Sequence, residues 1–332
     1  MKINIAINGF GRIGRLTLRA FLEREINDFE IVAVNDLGDI ESNLHLLKYD
    51  SVHGSLNLEC YRKDNYVEIA GNKISFLNES DPQKLPWKKF DIDIVIESTG
   101  IFTDREKAEM HISSGAKKVL ISAPSKNPDI TVVYGINHEK INKNHTIISN
   151  GSCTTNCLAP IAYLMNKTVG IESGYMTTVH SVTGDQNTID TLHKDLRRAR
   201  NSLISIIPTS TGAARAVGEV LPELKGKIDG SAIRVPTPNV SLVDFKFYSK
   251  KSTSIEELNS IFKNAEKTEF KSIIQTTNDP LVSGDFNHNP HSSIIDLSEL
   301  AVIENKFCRI LSWYDNEWGF SNRLIDVIKK II

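Results

Sequence analysis

Cysteine is scarce, with four residues (Cys60, Cys153, Cys157, Cys308) in a chain of 332. Four thiols cannot staple a chain of this length, so no disulfide framework is expected. A reducing compartment, the cytoplasm, is the expected setting for any free reactive thiol. Zinc spacing is missing too: Cys153 and Cys157 have no second ligand pair, and no metal is expected. No apolar run is long enough to span a bilayer. The apolar start from Ile3 to Ile7 is too short for the core of a secretory signal. Neither sign of charge is in excess, since Lys and Arg number 39, Asp and Glu 41, and the formal net charge is −2. There is thus no basic field requiring a nucleic acid and no acidic tail implying disorder. The basic stretch Lys194–Arg200 is short and poor in aromatics, unlike a platform for single strands. Internal repeats, low-complexity tracts and Pro/Gly-rich linkers are also lacking.

The length suggests two domains, and 40% hydrophobic residues suffice for a sizeable core. Ile3, Ile5 and Ile7 with Ala6 read as a buried parallel strand. Asn8-Gly9-Phe10-Gly11-Arg12-Ile13-Gly14 follows, and then a helical pattern through Leu16, Leu18 and Phe21. Gly9, Gly11 and Gly14 therefore stand between a strand and a helix, the context the dinucleotide fingerprint requires. The glycines permit a tight turn and close approach of a pyrophosphate, and the helix N-terminus favours its charge. A second strand, Ile31–Val34, runs to Asp36, roughly 20 residues beyond Gly14, where a carboxylate can hold ribose hydroxyls. An acid there repels a 2′-phosphate and favours NAD over NADP. The plainer alternative is a turn aspartate after a strand.

Further strands are expected at Ile92–Glu97, Lys118–Ser122, Thr131–Tyr134 and Thr146–Ile148, with a helix at Thr103–Ser114 and a hairpin turning at Gly71-Asn72. Strand ends near Gly9, Asp36, Thr99 and Ser122 should share one edge, where ligands bind. Past residue 151 the pattern changes. Long β-rich runs appear at Gly174–Val182, Ala232–Val235, Ser241–Tyr248, Ser292–Leu297 and Lys306–Tyr314. Helical patterns lie at Ala213–Leu221 and Ile255–Glu266. The expected fold is α/β: a Rossmann-type dinucleotide-binding domain over residues 1–151, and an α+β catalytic domain with a mostly antiparallel sheet over 152–316. A C-terminal helix within 317–332, with Leu324, Val327, Ile328 and Ile331 on one side, is expected to pack back on the first domain.

Between the halves runs Ser149-Asn150-Gly151-Ser152-Cys153-Thr154-Thr155-Asn156-Cys157, followed by an apolar stripe at helical spacing. Ser149, Asn150 and Ser152 are N-cap candidates, which puts Cys153 in a first turn, where unpaired N–H groups favour a thiolate. Its pKa is expected to fall; the plainer alternative is an inert buried cysteine. Cys157, one turn deeper, is expected to be structural. A nucleotide half followed by a thiol suggests redox chemistry on a carbonyl. An aldehyde yields a hydride readily once a thiolate has added to it, and a base must accept the protons. His180, ending the run Met176–Val179 in a Thr/Ser/Gly/Asp-rich setting, is the candidate base. It competes with His45, His53, His111, His138 and His145 in the first half, and with His193, His288 and His291. Arg197, Arg198, Arg200 and Arg234, with Thr209-Ser210-Thr211-Gly212 opening a helix, suit phosphate. Taken singly, the Arg197–Arg200 stretch is better read as a solvated basic face or a subunit-interface loop.

With the glycine turn, the stretch Ser149–Cys157, Leu192–Arg200 and Trp313-Tyr314-Asp315-Asn316-Glu317-Trp318-Gly319-Phe320 in view, the chain resembles the phosphorylating glyceraldehyde-3-phosphate dehydrogenases along its whole length. The resemblance implies Cys153 as nucleophile and His180 as its base. It implies an inorganic-phosphate pocket of Ser152, Thr154, Thr211 and Gly212 beside Cys153. Thr183, Asp185, Arg198 and Arg234 would serve the substrate phosphate, with Arg197 the alternative to Arg198. Arg12, Ile13, Asp36, Ser122 and Asn316 would bind NAD, Asn316 at the carboxamide. It further implies glyceraldehyde 3-phosphate and phosphate as substrates, a glycolytic and gluconeogenic role, and a homotetramer in which a loop from about Gly184 to Asn201 reaches a neighbour. No membrane or nucleic acid is required. Ser80 stands where the family commonly has an arginine near the adenine, Gly151 replaces an alanine, and Val182 and Phe320 replace frequent tyrosines. None removes a group the chemistry requires.

Two rival functions differ in their signatures. Erythrose-4-phosphate dehydrogenases share Asp285–Ser292 in some members, but typically alter the Thr209–Ala214 segment, which is intact here. A non-catalytic NAD-responsive binding protein needs no thiol beside His180 and the phosphate arginines together.

Overall fold

The computed structural model describes residues 2–64 and 66–332. They form two compact units. The first comprises residues up to Tyr134, His138–Gly151 and Ser321–Ile332; the second comprises Gly135–Asn137 and Ser152–Phe320. The later division falls inside the last helix rather than ahead of it, as the boundary at 316/317 would have it.

In the first unit, consecutive burial of Ile5, Ala6 and Ile7 marks a strand covered on both faces. That strand, Ile3–Asn8, is central in a nine-stranded sheet of order 130–131, 147–149, 118–121, 94–97, 3–8, 29–35, 72–77, 66–69, 60–63. The first seven strands are parallel and the last two antiparallel. The chain moves from Ile3–Asn8 to one side and later returns to the other at Ile94–Glu97. This is the reversal outside which α/β sheets bind ligands. Helix α1 (Arg12–Glu23) buries Leu16, Leu18, Ala20, Phe21 and Leu22. Its Arg19, only 2% exposed, is satisfied by the carbonyls of Leu47, Lys48 and Gly54. Helix α2 (Ile40–Lys48) was not expected from the sequence; it buries only Asn43 and Leu47, too few for a readable stripe. Helix α3 (Arg105–Ser113) is capped by Asp104 through Lys107 N–H. The hairpin turns at Ala70-Gly71, one residue before the expected Gly71-Asn72, because Asn72 pairs with Ile69. Both turn residues have positive φ, as a two-residue hairpin needs.

The second unit holds an eight-stranded sheet of order 207–210, 228–234, 171–180, 241–249, 307–314, 293–296, 274–277, with 301–303 also paired to 307–314. Two pairings, 171–180 with 228–234 and 274–277 with 293–296, are parallel and the rest antiparallel. The unit's helices are α4 (Cys153–Thr168), α5 (Ala213–Val220) and α6 (Ile255–Lys267). The final helix, α7 (Trp318–Ile331), lies within the expected 317–332 and starts where the Asp315 carboxylate accepts the N–H groups of Glu317 and Trp318. Ser152 caps α4, its Oγ accepting Thr155 N–H at 3.0 Å. Ser149 instead ends a strand and donates to the Ala123 carbonyl. Register then builds a site at one sheet edge: His180 pairs with Arg234 across the parallel strands, and Ser241 pairs with Tyr314 across the antiparallel ones.

Candidate active site and cofactor groove

In the first unit, Gly9, Gly11, Asp36 and Thr99 line one cavity of about 310 Å³ with Asn8, Asn35 and Ser80. Gly9 has φ +90°, and a Cβ on Gly14 would lie 2.2 Å from the Gly9 carbonyl oxygen, so both positions require glycine. Gly11 opens α1 without a side-chain cap, so the positive end of the helix dipole at Arg12 and Ile13 favours an anion. Asp36 Oδ2 accepts Phe10 N–H and Oδ1 accepts Gly38 N–H, both at 2.8 Å, which aims the carboxylate at the glycine turn. The Arg12 guanidinium is held by Asp50 at 2.5 Å, so its side chain is committed within the protein. Ser122 follows the neighbouring strand, with its N–H on the Glu97 carbonyl, and does not line this cavity.

A buried network supports the groove. Glu97 accepts from Asn8 Nδ2 (2.7 Å), Thr99 N–H (2.8 Å), the Thr99 hydroxyl and His111 Nε2 (3.1 Å). Trp87 donates its indole N–H to His111 Nδ1 at 3.0 Å, which assigns the imidazole proton to Nε2. Asn8 Oδ1 in turn accepts from Asn35 Nδ2. The groove has the uncapped helix terminus, the close-approach glycines and the carboxylate that a dinucleotide requires, and it fits NAD.

In the second unit Cys153 is the first residue of α4, half-buried, with Sγ 3.6 Å from His180 Nε2. His180 Nδ1 lies 2.7 Å from the Ser181 carbonyl oxygen and 2.8 Å from Arg234 Nη1. The carbonyl can only accept and the guanidinium can only donate. Arg234 Nη1 has two acceptors elsewhere, the Ser181 carbonyl and Thr183 Oγ1, each at 3.1 Å. Nδ1–H therefore donates to Ser181, and the Nε2 lone pair faces the thiol. Burial, aided by the Arg234 charge, pushes His180 down to about 3.

Burial also pushes the Cys153 thiol up, against the pull of Arg234 and the first-turn hydrogen bonds. The lowered pKa expected from the helix terminus is thus overturned by desolvation. Each charge alone is disfavoured, but a thiolate and an imidazolium 3.6 Å apart attract by about 5 kcal/mol at an effective dielectric near 20. That attraction offsets a large part of the cost of moving the proton from Sγ to Nε2, the basic lone pair that faces the thiol. Cys157 is fully buried, hydrogen-bonded to Ser312, and pushed up to about 12 by burial.

Around this pair stands a cluster of arginines, hydroxyls and one carboxylate. The Thr183 hydroxyl donates to Asp185, and Asp185 holds Arg198 Nη1 at 2.9 Å. Arg198, not the exposed Arg197, reaches this cluster. Burial pushes the Asp185 carboxyl up, but the Thr183 bond and the two arginines outweigh it and hold it below its ordinary value. Asp185, itself an acceptor, orients Arg198 rather than meeting an anion. The Arg234 Nε–H is buried with no partner among the described residues. Ser152 at the start of α4 lies near Thr211 and Gly212 at the start of α5, since Thr155 Oγ1 donates to the Ala213 carbonyl. The Thr154 hydroxyl lies 2.8 Å from Tyr314 OH, and both this hydroxyl and the Thr154 N–H favour charge on the Cys153 sulfur. Asn316 is buried, with Oδ1 accepting the hydroxyls of Ser181 and Ser241, each at 2.8 Å.

The roles of Ser181, Ser241 and Tyr314 escaped the sequence reading, and Thr209, read there within a phosphate-holding segment, bonds Arg198 instead. Tyr314 OH bridges Thr154 and Thr178, and Thr209 Oγ1 accepts from Arg198 Nε. Their only signal was a place at or beside strand ends.

Residues 3–105 match the NAD binding domain, and residues 152–316 the C-terminal domain, of glyceraldehyde 3-phosphate dehydrogenase. The glyceraldehyde-3-phosphate dehydrogenase of Xanthobacter flavus is 54% identical over 326 residues, which cover 98% of this chain and 97% of the relative. That of Zymomonas mobilis is 54% identical over 328 residues, with the same coverage. Glyceraldehyde-3-phosphate dehydrogenase 2 of Bacillus subtilis is 50% identical over 333 residues, covering 100% and 97%. With both domains matched and identity near one half along its length, the chain belongs to the glyceraldehyde-3-phosphate dehydrogenase family.

Proposed function

We propose that the protein oxidises D-glyceraldehyde 3-phosphate with NAD and inorganic phosphate to 1,3-bisphosphoglycerate, in glycolysis or gluconeogenesis. The observation that carries this reading is the Cys153 Sγ–His180 Nε2 contact at 3.6 Å beside the Thr183–Arg234–Asp185–Arg198 cluster.

His180 takes the thiol proton, and the thiolate adds to the aldehyde carbon. Nε2 returns the proton to the new alkoxide, giving a hemithioacetal on Cys153. NAD, when bound, supplies the two-electron acceptor that turns this adduct into a thioester. His180 takes the hydroxyl proton back in that step, and N–H groups at the start of α4 stabilise charge on the oxygen. Inorganic phosphate, held by Ser152, Thr211, Gly212 and the Thr154 N–H, then attacks the thioester and releases the thiolate. Arg198, Arg234 and Thr183 hold the substrate phosphate. In the groove, Gly9, Gly11, Arg12, Ile13 and Gly14 receive the pyrophosphate through backbone and helix terminus. Asp36 takes the ribose hydroxyls and Thr99 lines the wall; in the second unit, Asn316 offers its amide to the carboxamide.

A homotetramer accompanies this reading. Leu192 is 99% exposed, Leu196 and Ile204 81%, and Ile189 and Ile206 71%. So many bare apolar side chains in one stretch suit burial against further copies. Among the described residues no helix is long and apolar enough to cross a membrane, and all four cysteines are free thiols, which supports a reducing cytoplasm.

The decisive assay is NADH formation from glyceraldehyde 3-phosphate, with NAD against NADP, phosphate present or omitted, and erythrose 4-phosphate as rival substrate. Turnover that is specific for NAD and dependent on phosphate is expected. A greater kcat/KM on erythrose 4-phosphate, indifferent to phosphate, would replace the reading by the sister activity.

A further inference from the structure

Ser181 occupies a double position. It is fully buried, and its carbonyl accepts from His180 Nδ1 while its hydroxyl donates to Asn316 Oδ1. Ser241, equally buried, completes the arrangement. Its Oγ accepts the Ser181 N–H at 3.0 Å, which leaves its proton for Asn316 Oδ1 at 2.8 Å. Two hydroxyl donors thus converge on one end of the Asn316 amide. The opposite amide orientation would place an NH₂ against both hydroxyls. Ser181 Oγ–H would then have only Ser241 Oγ, at 3.4 Å, as a neighbour able to accept. The hydrogen-bond network therefore assigns Oδ1 to the serines and leaves Nδ2, which has no partner among the described residues, as the end that meets a ligand.

We propose that Ser181 and Ser241 are positioning residues for NAD: their hydroxyls hold the Asn316 amide with its NH₂ as donor, while the Ser181 backbone carbonyl sets the proton-accepting tautomer of His180. The inference rests on the reading of the chain as an NAD-dependent dehydrogenase. It ties together two functions that the sequence separates. The acid–base partner of the thiol is set by a main-chain atom, and the donor for a carboxamide oxygen is set by a side-chain atom of the same residue. An asparagine free to turn would present its acceptor end half the time; one held by two hydroxyls does not.

This division makes the proposal separable from ordinary loss of packing. Ser181→Ala removes the hydroxyl and keeps the carbonyl. In the full chain, Ser181→Ala combined with Ser241→Ala should weaken NAD binding, measured by titration calorimetry, about ten-fold or more. The KM for NAD should rise more than that for glyceraldehyde 3-phosphate. The pH dependence of Cys153 alkylation by iodoacetamide should stay where it is in the parent protein. Ser181→Thr, which keeps a hydroxyl, should recover most of the affinity. Asn316→Asp keeps the acceptor for both serines and deletes the donor; it should lose NAD affinity similarly, and adding the serine changes to it should cost little more. Unaltered NAD affinity in the double alanine variant overturns the proposal, as does a displaced alkylation profile with no change in NAD binding. If the double variant fails to fold, Ser181→Thr and Asn316→Asp carry the test alone: equal affinity for both and for the parent overturns it. A parent protein that binds NAD but makes no NADH from the aldehyde would instead sink the dehydrogenase reading, and the calorimetric comparison would still judge the serines.

Discussion

At Cys153 two tendencies oppose each other, and His180 decides between them. The helix mouth and Arg234 favour a thiolate, whereas burial favours the thiol. Cys153→Ala should abolish aldehyde-dependent NADH formation while leaving the NAD dissociation constant within about two-fold, because the glycine groove is built in the first unit. His180→Asn removes the proton acceptor. Turnover should fall by about 10²-fold or more, and the iodoacetamide profile of Cys153 should move to higher pH. The same variant bears on stability. The native imidazole is pushed from 6.5 to about 3, so it stays neutral while an unfolded histidine takes up a proton below about 6.5. His180 thus contributes stability that is present above about 6.5 and lost as pH falls towards 3. Urea midpoints of His180→Asn at pH 7 and pH 4.5 should differ less than those of the parent. Cys157, buried and pushed up to about 12, should remain unlabelled while Cys153 reacts.

Among the elements, α4 and α1 present their N-termini at the two proposed sites, and each is prepared differently. Ser152 closes α4 with a side-chain cap, and Ser152→Ala should cost about 1 kcal/mol in urea unfolding. Gly11 leaves α1 open. Gly14→Ala would drive a methyl to within 2.2 Å of the Gly9 carbonyl and should weaken NAD binding well over ten-fold by calorimetry. Most strands and helices were legible, because their apolar periods matched their burial. Helix α2 was not, since its buried side is only Asn43 and Leu47. The hairpin turn was misplaced by one residue, because Asn72 was needed as a strand partner for Ile69 rather than as a turn residue. The Trp87–His111–Glu97 network was equally hidden: it joins residues far apart in the chain, and only the sheet brings Asn8 and Glu97 side by side.

For the whole molecule, the exposed apolar side chains between Ile189 and Ile206 are the part that the proposed tetramer would cover. Replacing Leu192 and Ile204 together by Asp should shift the sedimentation coefficient from that of a tetramer to that of smaller species. An unchanged coefficient would remove this segment from the subunit contact.

The sequence by itself determined the α/β first half, the glycine turn with its acid at Asp36, and a cysteine at the mouth of a helix. Each of these is a local arrangement, set by periods of two or 3.6 residues and by turn chemistry within a few positions. Tertiary structure alone decided which of nine histidines meets Cys153 and which arginine reaches Asp185 and Thr209. It alone joined the Thr154 hydroxyl to Tyr314 and reversed the direction of the Cys153 shift. Those outcomes depend on strand register, which sets His180 against Arg234 and Ser241 against Tyr314, and on burial, which no local spacing encodes.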